Sequence, residues 1–290
     1  MSIYSQANFN SQNYQLNRPT YPESLYEAVI NFHGTASREV CVDVGCGTGI
    51  ATFPLLNYFA KVIGTDPSAT MLATAGQLKQ NLQVDLQDRT EFLQSSAENV
   101  SDVCNDSSVD LITGAECIHW VDHPKFFDAA FKALKPGGTL AYWFYVEPIF
   151  LDYPKANKIF QKYIHDDPLY LGPLWKFGMK KHLRSFGLTI EIPANKFEDI
   201  ESHVYIPLES PKETEFMIRK EEYTANDLCS YVQSFSAYHS WQQEHGKDGK
   251  DVARMLIDEI TKECQWTPDQ RLRVEWGTSY FLARKKKNAY

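Results

Sequence analysis

One short stretch carries the first chemical signal. Asp43 is followed at alternate positions by Gly45, Gly47 and Gly49, directly after the β-branched run Val40-Cys41-Val42. A strand that ends at an acid and turns through glycines lets backbone N–H groups approach a ligand closely. The helix start beyond it favours an anionic group there. A second acid, Asp66, closes the next apolar run, Lys61-Val62-Ile63-Gly64-Thr65. It stands where a nucleotide-binding fold places the carboxylate that accepts from both ribose hydroxyls. Ahead of Pro67-Ser68 the same residue also reads as a helix cap. Arg18 and Arg219 are planar forks suited to a carboxylate, or else partners in surface ion pairs. His119 either touches a ligand or is a satisfied histidine under covering elements. Tyr14, Tyr21, Trp120, Trp143 and Tyr145 either wall a pocket or pack the core. The sequence presents no obvious acid–base dyad.

The elements that must position these groups follow from pattern. Val40 to Val44, Lys61 to Asp66, Thr90 to Gln94, Ser108 to Thr113 and Thr139 to Tyr145 read as five strands, with helical stretches between them. Five strands alternating with helices argue for a parallel, doubly wound sheet, which binds ligands at the carboxyl ends of its strands. Gly45, Asp66, Ala97 and Ala115 all fall at such ends. Met71, Leu72 and Ala75 continue a helix, Phe126 to Leu134 forms another, and Lys135-Pro136-Gly137-Gly138 is a sharp turn. Beyond Glu147 aromatics and prolines become dense, as in a cap, and Phe197 to Ile206 suits a sixth strand. Asn226 to Trp241 reads as one helix, capped by Thr224 or Asn226, and Asp251 to Cys264 as another. Leu272 to Leu282 alternates like a last strand. Residues 1–20 lack clear periodicity and are either a frayed terminus or an ordered lid, and Pro22-Glu23 suits a helix start.

A chain of 290 residues can bury a sizeable core. Its net charge of -8 argues against a nucleic-acid surface, and the basic run Arg284-Lys285-Lys286-Lys287 reads as a solubilising end. The opening residues do not resemble a signal peptide, and no apolar run approaches the roughly twenty residues of a membrane span. The six cysteines (Cys41, Cys46, Cys104, Cys117, Cys229, Cys264) form no C-x-x-C pair. They read as free thiols in a reducing compartment, with no metal implied. The expectation is a cytoplasmic protein, monomeric or weakly dimeric.

The spacing Asp43-x-Gly45-x-Gly47-x-Gly49 departs from a Gly-x-Gly-x-x-Gly dinucleotide loop and resembles motif I of class I S-adenosylmethionine-dependent methyltransferases. Asp66, Ser96-Ala97-Glu98 and Lys135-Pro136-Gly137-Gly138 extend that resemblance over about residues 38–145. A narrower one spans nearly the whole chain. Arg18-Pro19-Thr20-Tyr21-Pro22, Glu116-Cys117-Ile118-His119-Trp120, Ser236-Ala237-Tyr238-His239-Ser240-Trp241 and Val274-Glu275-Trp276-x-Thr278-x-Tyr280 are similar to fungal trans-aconitate methyltransferases and their cantharidin-resistance relatives. Those relatives act on different small molecules.

The resemblance implies a Rossmann-like sheet of seven strands, mostly parallel with one antiparallel strand, plus a helical, aromatic cap. It implies one domain: residues 1–35 as lid, 36–146 as cofactor-binding sheet, 147–270 as cap with strand six, and 271–284 as last strand. The implied cofactor is S-adenosylmethionine, held by Asp43, Gly45, Gly47, Gly49, Asp66, Met71, Ala97, Glu98 and Ala115. Within that set Asp43 either holds a water or the amino group, or only stabilises the turn. The implied acceptor site comprises Tyr14, Arg18, Tyr21, His119, Trp143, Arg219 and Tyr238, with His119, Trp120 and Tyr145 as positioning residues. Carboxyl O-methylation of trans-aconitate or a related short acid is the leading expectation. A lipophilic or xenobiotic acceptor, or a silent cofactor-binding protein, are the alternatives. A dinucleotide dehydrogenase fits worst, and no Asn/Asp-Pro-Pro-Tyr/Phe tetrad follows strand four to suggest nucleic-acid methylation.

Overall fold

The computed structural model describes residues 4, 6, 9–175, 177–267 and 269–287. Its strands are β1 (Val40–Val44), β2 (Lys61–Asp66), β3 (Thr90–Gln94), β4 (Val109–Ala115), β5 (Leu134–Phe150), β6 (Phe197–Tyr205), β7 (Ile218–Tyr223) and β8 (Leu272–Lys285). They form one sheet in the order β3-β2-β1-β4-β5-β8-β6, with β7 also paired to β8. Neighbours from β3 to β5 are parallel, and β8 runs antiparallel to β5, β6 and β7. The expected Rossmann-like sheet with one reversed strand is therefore present. It has an eighth strand because β6 and β7 lie end to end along β8, pairing with Thr278–Lys285 and Leu272–Trp276 respectively.

The central strands are apolar without a break because both faces of the sheet are covered. Cys41, Leu111, Ala141 and Trp143 join one core, while their chain neighbours Val42, Ile112, Leu140 and Tyr142 join the other. That is the period-two alternation of a pleated strand read across three strands. Helices Glu23–His33 and Val252–Cys264 cover the first face, and His123–Ala133 the second. β1 lies between β2 and β4, so the chain's winding direction reverses beside it and a crevice opens at the carboxyl ends of these strands.

Three local features differ from the expectations. Residues 11–17 form an ordered helix, Ser11–Asn17, capped by Asn10. The stretch Asn226 to Trp241 is two helices, Ala225–Gln233 with a Thr224–Asp227 capping box and Ser236–His245. They are separated by the extended backbone of Phe235. The Lys135–Gly138 turn falls inside the bounds of β5, where the β4–β5 register shifts. Among the described residues no helix is long and apolar enough to cross a membrane, and the six cysteines are free.

One buried carboxylate ties the amino ends of three strands together. Asp110 accepts from the Glu39 and Val40 N–H groups at 3.0 and 2.9 Å and from Lys135 Nζ at 2.7 Å, with its side chain 2% exposed. Asp110→Ala would remove the acceptor of the Glu39 and Val40 N–H groups and the counter-charge of Lys135. It should lower unfolding free energy by about 3 kcal/mol, read from urea denaturation, and an unchanged midpoint would contradict this role.

Candidate functional site

A cavity of about 320 Å³ opens at the carboxyl ends of β1 to β4. Gly45 and Gly47 line it in left-handed conformations, with φ of 60° and 56°. A Cβ on Gly45 would sit 2.4 Å from Cys117 Cβ, so only glycine lets the turn pass this close to the bend after β4. Asp66, at the end of β2, accepts from the Gly47 N–H at 2.9 Å and the Ser68 N–H at 2.8 Å. Burial raises its carboxyl above the ordinary range, while those two N–H groups oppose the rise. Ser68, rather than Asp66, caps helix Ala69–Lys79, which leaves Asp66 on the cavity wall. Met71, Ala97 and Ala115 add apolar wall. Glu98 lines the cavity while its carboxylate accepts from the Asp122 N–H at 2.9 Å.

Two residues expected to touch a cofactor lie outside that lining. Asp43 is fully buried, accepting from Thr52 Oγ1 at 2.6 Å and Thr113 Oγ1 at 2.8 Å. Burial pushes its carboxyl up to about 6 even though both hydroxyls favour the ionised form. Its contacts join β1 to β4 and to the helix under the glycine turn, a structural place. Gly49 backs onto the Phe53 ring.

A second, smaller cavity of about 60 Å³ adjoins the first, and Tyr4, Tyr14, Glu116 and Trp120 line both. Arg18 projects into it from the end of helix Ser11–Asn17, with its Nε shut off from solvent and without a hydrogen-bond partner among the described residues. Its other nitrogens donate to Tyr145 Oη and the Ser234 carbonyl, both at 3.2 Å. The guanidinium also lies over the Tyr14, Phe235 and Tyr231 rings at 4.9, 5.1 and 5.5 Å. No carboxylate pairs with it among the described residues. The break at Phe235 matters here, because it turns that ring inward and leaves the Ser234 carbonyl free to accept.

Glu116 faces Arg18 from the exit of β4. Its backbone has φ of 53°, its carboxylate accepts from the Tyr145 N–H, and burial pushes its carboxyl up to about 8. The Tyr145 N–H and the Arg18 charge hold it below what burial alone would give. His119 is driven down to about 3, by burial first and then by Arg18, His182 and His123, so its ring is neutral. Burial raises the Tyr14 and Tyr145 phenols, which stay protonated.

The structure thus brings Tyr14, Arg18, His119, Trp120 and Tyr145 together, but places four expected acceptor residues elsewhere. Trp143 is fully buried against Tyr21 and Tyr26, one pleat deeper on β5 than Tyr145. Tyr21 belongs to that same packing. Tyr238 bonds Asp251 and Gln242 beside helix Val252–Cys264. Arg219 lies on β7 and pairs with Glu275 at 2.8 Å and Glu213 at 2.7 Å, so its charge is already compensated. Sequence reasoning did not single out Glu116, Glu147 or His165 as site residues, though all three line the smaller cavity. The one available signal was that Glu116 directly follows β4. Among the described residues no group of three His, Cys, Asp or Glu side chains is placed to hold a metal ion.

Comparison with known proteins is consistent in kind. A family model described as a methyltransferase domain matches residues 42–142. The probable S-adenosylmethionine-dependent methyltransferase CRG1 of Saccharomyces cerevisiae is 33% identical over 292 residues, covering 98% of each chain. The trans-aconitate 2-methyltransferase of Variovorax paradoxus is 38% identical over 103 residues, 34% of this chain and 36% of that one. Among solved structures, a putative type II methyltransferase from Anaeromyxobacter dehalogenans superposes with a TM-score of 0.67 at 22% identity, over 93% of this chain and 99% of that one.

Among the described residues, Asp66 is the only carboxylate bonded to the glycine turn within the larger cavity. Asp66→Ala should weaken S-adenosylhomocysteine binding by about 10- to 100-fold, the worth of one or two charge-assisted hydrogen bonds. Titration calorimetry giving wild-type affinity would remove Asp66 from the ligand-binding set.

Proposed function

The chain belongs to the class I S-adenosylmethionine-dependent methyltransferases, and we propose that within this family it methylates a carboxylate of trans-aconitate or a related short polycarboxylic acid. The observation that carries this reading is Arg18, a part-buried guanidinium whose hydrogen bonds, among the described residues, go to neutral oxygens and whose Nε is shut off from solvent. An enclosed cation without a counter-charge is costly, and a carboxylate in a bidentate fork is its natural complement. The small volume of the inner cavity supports a short acid over an extended chain. The likeness to a bacterial trans-aconitate 2-methyltransferase, though confined to about a third of the chain, points to the same acceptor class.

The residues of the larger cavity fit the cofactor. Gly45 and Gly47 keep side-chain bulk away from its methionine part, the Asp66 carboxylate suits ribose hydroxyls, and Met71 and Ala97 offer apolar wall to a base. S-adenosylmethionine supplies an electrophilic methyl group on a sulfonium that leaves as a neutral thioether. A carboxylate acceptor is already anionic at neutral pH, so the chain need supply no general base. Its task is alignment and exclusion of water. Arg18 would hold a carboxylate that does not react, leaving another free to face the shared wall of Tyr4, Tyr14, Glu116 and Trp120. A carboxylate clamped by the guanidinium would itself be a poorer nucleophile, which is why a polyacid suits this cavity better than a monoacid. Tyr14, Tyr145 and neutral His119 add uncharged wall beside the acceptor.

A lipophilic acceptor is the second reading, favoured by the rings of Tyr231, Phe235 and Trp175. It would leave Arg18 uncompensated.

Two outcomes follow from the acid reading. Arg18→Ala should raise KM for trans-aconitate about 100-fold, roughly 2.7 kcal/mol, with S-adenosylhomocysteine affinity within about threefold of wild type if Arg18 serves the acceptor alone. Loss of cofactor affinity instead would move Arg18 to the donor side. Protonated Glu116 leaves the Arg18 charge uncancelled below about pH 8. As pH rises through that value Glu116 gains a negative charge and repels an anionic acceptor, so KM should rise, and Glu116→Gln should flatten the profile. An identical pH profile in that variant would dismiss the Glu116 effect.

A further inference from the structure

The inner cavity holds a second polar feature that the reading above does not use. Glu147, near the end of β5, and His165 both line it, and a Glu147 carboxylate oxygen bonds His165 Nε2. The imidazole is 3% exposed. Although burial pushes the Glu147 carboxyl up, the hydrogen bond and charge of His165 hold it below its ordinary value. With Nε2 committed, the remaining ring nitrogen, Nδ1, is shut off from solvent and has no partner among the described residues.

The backbone around His165 is shaped to hold the ring there. Lys162–Asp166 is a π-helical turn, with the Asp167 N–H bonded back to the Lys162 carbonyl at 2.9 Å. Its wider turn lets Tyr163, Ile164 and His165 all face inward. The Ile164 carbonyl accepts from Trp175 Nε1 at 2.7 Å and the His165 carbonyl from Lys180 Nζ at 2.8 Å. A ring bonded by Glu147 on an anchored backbone, with one nitrogen unsatisfied among the described residues and the residue lining a cavity, has the form of a ligand contact.

We propose that His165, oriented by Glu147, is a second anchor of the acceptor site, its Nδ1–H donating to a carboxylate of the acceptor other than the one held by Arg18. With Nε2 bonded to the Glu147 carboxylate, an N–H at Nδ1 is the complement of an anionic oxygen. Two fixed donors in one small cavity select an acid with at least three carboxylates, two of them anchored and one free for methyl transfer. His165 is thus a specificity-determining contact and Glu147 a positioning residue. This inference rests on the acid reading of the cavity.

The test compares KM for trans-aconitate, kcat, and S-adenosylhomocysteine affinity in the full-length wild type and variants. His165→Phe should raise KM about 10- to 100-fold with kcat and cofactor affinity little changed. His165→Asn, which keeps an N–H near the Nδ1 position, should recover most of that loss. If His165→Phe does not fold, as judged by lost cofactor binding, Glu147→Gln keeps a hydrogen bond to Nε2 without the charge and should raise KM with kcat unchanged. An unaltered KM in these variants, alongside a raised KM in Arg18→Ala, overturns the inference and leaves the acid reading intact. A wild-type enzyme inert toward acids overturns both.

Discussion

The proposed acceptor side depends on one part-buried positive charge. Removing a guanidinium from water is costly, and the chain offsets that cost with only a phenol, a carbonyl and three aromatic faces around Arg18. The placement also constrains the amino-terminal segment, because Arg18 is the residue that ends helix Ser11–Asn17. The same segment bonds the glycine-turn side of the molecule: Gln15 to Thr48, Ser11 to Thr74 at 2.8 Å, and the Tyr4 carbonyl to Ser68 at 2.6 Å. One short stretch therefore touches both cavities.

The carboxylates near the strand ends show how environment separates residues of one chemical type. Asp43, at zero exposure and pinned by two threonine hydroxyls, is part of the frame. Asp66, bonded only by backbone N–H groups, keeps a face on the larger cavity. Glu116, held by one N–H beside a guanidinium, sits at the join of the two cavities, and burial drives its carboxyl up to about 8, against about 6 for Asp43. Depth and partners, more than residue type, set what each can do.

Much of the frame was legible in the chain because its signals are local. β1, β2 and β3 are short apolar or β-branched runs with clear ends, and the glycine spacing marked the turn between sheet and helix. β7 was not legible: Ile218-Arg219-Lys220-Glu221-Glu222-Tyr223 places four charges in a row on an exposed edge. The break at Phe235 was hidden for a different reason, since an extended residue there is fixed by what Arg18 and the cavity require, not by helix propensity. Tyr14, Arg18 and His119, singled out by residue type, line the smaller cavity, whereas Trp143 and Arg219 have the same chemistry but are spent on packing and on ion pairs. Glu147 and His165 meet across a π turn that no periodicity announces.

The central claim, that this methyltransferase takes a short polyacid on Arg18, is tested most directly by S-adenosylhomocysteine release from purified protein given S-adenosylmethionine. The panel is trans-aconitate, its fully esterified neutral form, and uncharged aromatic molecules of similar size. The account predicts turnover with the acid and none with its ester or the neutral molecules. Turnover with the neutral molecules and none with trans-aconitate would contradict it.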